Sequence, residues 1–119
     1  MDNSYLKLDV ETAAPIKRVV MLYEKAILCM EEAKVGIETD DLKRKIENIL
    51  RAHDIIRVLN VSLDMEKGGE ISENLRELYD FIEVSLTKVN ASNDTVLLND
   101  VMEIVSTLKS AWEEIESKV

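Results

Sequence analysis

His53 is the only histidine and Cys29 the only cysteine among 119 residues, so few routes to covalent chemistry are open. A carboxylate-bridged di-metal bundle needs two Glu-x-x-His motifs pointing inward, yet Leu50 stands three residues before His53. One Cys and one His do not make a zinc site. A Ser-His-Asp or Cys-His nucleophile would require His53 as its base, and no surrounding pattern supports that arrangement. Gly68-Gly69 lacks the further glycine and the Lys-Ser/Thr of a phosphate-binding loop. The chain is therefore read as a non-enzyme without metal or cofactor.

One chemical use of His53 stays open. Histidine phosphotransfer domains are small four-helix bundles with an exposed His followed by Lys and Gly. Here Ala52-His53-Asp54-Ile55-Ile56-Arg57-Val58 carries its cation late and has no glycine. Helical spacing also sets His53 on an apolar stripe with Ile49 and Ile56, which favours a packed structural histidine. Asn60 lies on the same stripe. It is read either as a satisfied buried amide or as an amide facing a bound peptide. Trp112, spaced with Leu108 and Ile115, reads as core. Met65, near a helix end, is a candidate for an adaptable binding surface.

These residues must sit on helices. One proline and three glycines leave little punctuation, and aromatics at 4% are sparse for a sheet protein. Ile16, Val19, Val20, Tyr23, Ala26, Ile27, Met30 and Ala33 recur at spacings of three and four behind Pro15, a residue suited to a first helical turn. Leu42, Ile46, Ile49, His53, Ile56, Asn60 and Leu63 form the next stripe. Ala52, Ile55, Leu59 and Ser62 flank it, so this helix has apolar width for two neighbours or for a partner. Thr39, Asp40 and Asp41 offer caps at its start, and Gly36 loosens the end of the helix before it. Gly68-Gly69 predicts a tight turn into a third helix with Ile71, Leu75, Leu78, Tyr79, Ile82, Leu86 and Val89. Asn90-Ala91-Ser92-Asn93-Asp94-Thr95 breaks the pattern before a fourth, carrying Leu97, Leu98, Val101, Ile104, Val105, Leu108, Trp112 and Ile115. The expected fold is all-α: a single domain over 1–119, an antiparallel four-helix bundle with a short extended or irregular N-terminal arm at 1–14. In that arm Tyr5, Leu6, Leu8 and Val10 alternate with polar residues, and the arm is expected to be a mobile cover over an apolar groove.

A formal charge of −9 disfavours nucleic acid and anionic membrane surfaces as partners. No apolar run reaches membrane-span length and no signal peptide opens the chain. The lone cysteine fits a reducing, cytoplasmic compartment.

Several segments, in order, resemble the flagellar export chaperone family, the FliS proteins. Thr12-Ala13-Ala14-Pro15 resembles its T-A-S-P, with alanine where the cap serine stands. Met21-Leu22-Tyr23-Glu24-Lys25-Ala26-Ile27 resembles M-L-Y-D-G-A-I. Leu63 to Ile71 resembles L-D-x-x-x-G-G-E-I, followed by Asn74-Leu75-Arg76-Glu77-Leu78-Tyr79-Asp80 for N-L-x-x-L-Y-D, and Ala111-Trp112 for the final A-W. The resemblance covers nearly the whole chain. It implies a cytoplasmic chaperone that binds the disordered C-terminal segment of flagellin, prevents premature polymerisation and aids flagellar type III secretion. Components of the export apparatus are further expected partners. The residues expected at the partner contact are Tyr5, Leu6 and Leu8 of the arm, Ile55, Ile56, Leu59, Asn60 and Leu63 of the second helix, Met65 at the turn, and Leu75 and Tyr79 of the third.

Overall fold

The computed structural model describes the backbone of residues 3–118 and the side chains of residues 16–118. Four helices follow one another: α1 (Asn3–Glu38), α2 (Leu42–Val61), α3 (Met65–Ser92) and α4 (Thr95–Ser117). Each packs on its sequence neighbours and α4 closes on α1, so α1 and α3 lie across a diagonal. This is the antiparallel bundle that short connections dictate. No helix among the described residues is long and apolar enough to cross a membrane.

The core is built from the four stripes. Val20, Tyr23, Ala26, Met30 and Ala33 of α1 meet Ile49, Ala52, Ile56 and Leu59 of α2. Tyr79, Ile82, Leu86 and Val89 of α3 and Leu98, Val101 and Val105 of α4 complete the cluster. The double apolar width of α2 is used by its two neighbours. Ala52 and Leu59, read as a flanking stripe, are buried, and Ile55 is half-buried.

The sequence explains the helix ends. Asp41, Asp64 and Asp94 are the N-caps of α2, α3 and α4; their carboxylates accept from the backbone N–H of Arg44, of Glu66 and Lys67, and of Leu97. α3 closes at Asn93, left-handed with φ 59°, a conformation that asparagine tolerates. The buried Lys45 of α2 finishes this end. Its Nζ donates to the Asn90 carbonyl at 2.9 Å and to Asn93 Oδ1 at 2.7 Å, a cation on the negative end of a helix.

Three features differ from expectation. The backbone over 3–14 is helical and continuous with α1. Leu6 and Val10 alternate but also fall four apart, so the same residues satisfy a helical repeat, and no glycine interrupts them. Pro15 therefore lies inside α1, where it cannot donate to the helix ladder. The side chains of Tyr5, Leu6 and Leu8 lie outside the described residues, and so does the covering role expected of them. Secondly, α2 ends at Val61, before the glycine pair. Met65 to Gly68 form a first turn of α3, and the break falls at Gly69, whose φ of 52° and ψ of −129° depart from the helix.

Gly36, read as a loosening residue, is instead a buried contact point in α1. A Cβ there would come within 2.6 Å of the Lys45 amide nitrogen and 3.0 Å of the Asp41 carbonyl oxygen. Both are backbone atoms at the start of α2 and cannot swing away. Gly36→Val is expected to cost about 1–3 kcal/mol or more by forcing the helices apart. It should also loosen the Lys45 cap on α3. Chemical denaturation would measure the first effect, and amide exchange at Asn93 the second; unchanged values for both would show that the helix ends are not in register-setting contact.

Candidate functional site

The α3–α4 seam is the least closely packed of the four. An opening of about 450 Å³ lies there, lined by Leu78 of α3 and by Asp100, Glu103, Ile104, Thr107 and Leu108 of α4. The helical repeat separates floor from rim. Ile104 and Leu108, four apart, are half-buried beside Leu78, while Asp100, Glu103 and Thr107 are exposed above them. The Thr107 hydroxyl donates to its own helix, at the Glu103 carbonyl. Half of the described lining residues are thus aliphatic and half polar, the composition of a groove that takes an amphipathic helix.

Two further openings lie along the α1–α2 seam, on the opposite side of the bundle, besides a smaller one at its Gly36 end. One, of about 460 Å³, is lined by Glu32, Asp41, Lys43, Arg44, Glu47, Asn48 and Arg51, all polar. Arg44 Nε donates to Glu32 there at 2.7 Å. The other, of about 370 Å³, sets Met21, Leu28 and Cys29 among Glu24, Lys25, Glu32 and Asn48. Neither has an aliphatic floor like that of the α3–α4 groove.

A polar network occupies the α2–α3 seam. The Asn60 amide nitrogen donates to Asp80 Oδ1 at 2.7 Å and to Glu83 Oε2 at 2.9 Å, and Arg76 Nε donates to Asn60 Oδ1 at 3.2 Å. The amide is buried and satisfied within the chain, the first of its two readings. His53 is half-buried on the same seam with Nε2 3.7 Å from Glu83 Oε1. A phosphoryl donor approaching it would meet that carboxylate. Among the described residues no cluster of His, Cys, Asp and Glu is arranged to hold a metal ion.

Across the diagonal, the hydroxyls of Tyr23 and Tyr79 hydrogen-bond each other in the core. Burial pushes both phenols above their ordinary range, and for Tyr79 the neighbouring Tyr23 pushes further in the same direction. Burial likewise raises the Cys29 thiol, opposed by the nearby charges of Arg51 and Lys25.

The residues expected at a partner contact are thus spread through the bundle. Ile56, Leu59, Asn60 and Tyr79 are buried, and Ile55, Leu63, Met65 and Leu75 keep part of their surface. Asp100, Glu103, Ile104, Thr107 and Leu108 were not among the expected contacts. In the sequence, Ile104 and Leu108 belong to the α4 core stripe, and nothing marks that α3 leaves them partly uncovered.

A family model described as flagellar protein FliS matches residues 1–119. The flagellar secretion chaperone FliS of Vibrio cholerae is 39% identical over 117 residues, covering 95% of this chain and 86% of that protein. The chaperone of the same name from Bacillus subtilis is 33% identical, covering 94% of this chain and 83% of its own length. This chain belongs to the FliS family of flagellar secretion chaperones. A solved bacterial flagellar chaperone superposes with a TM-score of 0.81 at 17% identity, over 88% of this chain and 85% of that one, and shares the fold. Membership makes the chain a chaperone and not an enzyme. His53 accordingly counts as a structural member of the α2–α3 seam. Gly68 also has a local reason: a Cβ there would fall 1.7 Å from the Ser72 hydroxyl, which donates to the Asp64 carbonyl and ties the turn together.

Proposed function

We propose that this chain binds the C-terminal segment of flagellin in the cytoplasm, hides its apolar face until export, and so prevents premature polymerisation. The observation that carries this reading is the aliphatic floor of the α3–α4 groove, Leu78, Ile104 and Leu108, left partly open in a folded bundle. A segment that is amphipathic as a helix can lay its apolar face there, with main-chain hydrogen bonds kept within its own helix. The half-buried Leu75, one turn before Leu78, extends the apolar edge of α3 toward the turn. Membership in a family of secretion chaperones supports a secreted client, and the export apparatus is the receiver of the loaded complex.

Filling the groove tests this. Thr107→Trp places a large ring over Ile104 and Leu108 from an exposed position, so the fold is retained. Calorimetric titration with flagellin should show binding weakened by about 2 kcal/mol or more for this variant. Flagellin lacking its C-terminal segment should bind neither protein. Equal affinities of the variant and the natural chain, with matching melting temperatures, would place the flagellin contact elsewhere.

A further inference from the structure

Among the described residues, the two ionisable side chains lining the α3–α4 groove are both acids. Asp100 and Glu103 are exposed on its rim, and neither is paired with a cation among the described residues. They sit in a field of the same sign. Residues 63–118 hold thirteen acidic and five basic side chains, net −8, whereas residues 16–62 hold eight acidic and nine basic, net +1. The charge of the chain is thus concentrated on the half of the bundle that carries the open apolar floor.

We infer that the α3–α4 groove selects its client by charge: it takes an amphipathic helix whose apolar strip is flanked by Lys or Arg, and rejects one flanked by Asp or Glu. The inference rests on the groove being the flagellin contact and assigns the sequence class of the segment it accepts. An aliphatic floor alone accepts any apolar strip of suitable width. Discrimination comes from the repulsive element, here Asp100 and Glu103, against which an acidic flank would be brought and partly desolvated. Beyond direct contact, the net −8 half attracts a cationic segment over roughly 10 Å at about 0.1 M salt and speeds its encounter. The occupant considered is a client helix. The competing occupant is a second copy of this chain, whose near-neutral α1–α2 half exposes Met21 and Leu28 beside Lys25.

Three synthetic helical peptides with one apolar strip and flanks of Lys, Gln or Glu, each labelled for fluorescence anisotropy, separate these outcomes. The natural chain should bind the Lys-flanked peptide at least ~10-fold more tightly than the Glu-flanked one at low salt, with the ratio shrinking several-fold at about 0.5 M salt. Asp100→Lys combined with Glu103→Lys should invert the order while leaving the melting temperature nearly unchanged. Thr107→Trp should weaken all three peptides and the flagellin segment together. If Thr107→Trp weakens all of them but the natural chain ranks the three flanks equally, the groove binds without charge selection and this inference alone is overturned. If Thr107→Trp weakens none, the groove is not the binding site and both readings fall. A light-scattering mass of two copies that reverts to one on Asp100→Lys/Glu103→Lys would make a second copy the occupant and also overturn the inference.

Discussion

Leu59→Asp is expected to abolish the cooperative fold. Leu59 is 6% exposed in α2 and packs in the same cluster as Ala52 and Ile56. Removing its methyl groups costs about 2–5 kcal/mol in lost burial and cavity formation. The carboxylate left in their place adds several kcal/mol, because its hydration is lost on burial. The sum approaches the whole stability of a domain, roughly 5–15 kcal/mol. A circular-dichroism melt should therefore show a shallow slope without a transition. The neighbouring Val58 supplies the control. It is 49% exposed on the same helix, so Val58→Asp should shift stability by no more than about 0.5 kcal/mol. A sharp transition in Leu59→Asp would mean that α2 can turn this side out to solvent, as a partner-facing stripe would.

That pair of residues also marks what the sequence could say. Periodicity identified Leu59 as apolar and helical, and left open whether its stripe met a second neighbour or a partner. The decision belongs to tertiary packing: α1 covers one flank of α2 and α3 the other. The same limit explains the α3–α4 groove. Ile104 and Leu108 are indistinguishable by spacing from the buried Val101 and Val105, and their exposure depends on how closely α3 approaches. Local chemistry was easier to read. The caps Asp41 and Asp94 fall where acidic residues precede apolar periods, and Asn93 closes α3 where the pattern breaks. The glycines were read for conformation alone. At Gly69 that was sufficient, since φ is positive. At Gly36 and Gly68 the reason is close approach, to the α2 backbone in one case and to Ser72 in the other, and contacts of that kind are set by the fold.

The second large effect is alkaline. Tyr23 and Tyr79 are buried and share a hydrogen bond across the diagonal of the bundle. Burial raises both phenols above their ordinary value of 10.0. The sign follows from linkage. In the unfolded chain each phenol releases its proton near pH ~10, while in the fold it holds the proton to higher pH. Their contribution to stability is therefore complete below about pH 10 and is lost as pH rises from there toward the raised folded values. Each such tyrosine gives a slope of up to about 1.4 kcal/mol per pH unit. Two together should unfold the bundle steeply between roughly pH 10 and 12. Cys29, also raised by burial, begins to contribute about a unit lower and persists in any tyrosine variant. Tyr23→Phe alone leaves the Tyr79 hydroxyl buried without this partner and should cost about 1–3 kcal/mol at pH 7. Tyr23→Phe/Tyr79→Phe removes both polar atoms and should cost less than the sum of the single changes. The double variant should also be the more resistant of the two proteins to pH 11, because no buried phenol remains in the pair to ionise. Urea titrations at pH 7 and pH 11 decide it: parallel losses in the natural chain and the double variant would place the alkaline transition in other groups and leave the tyrosine pair a neutral packing contact.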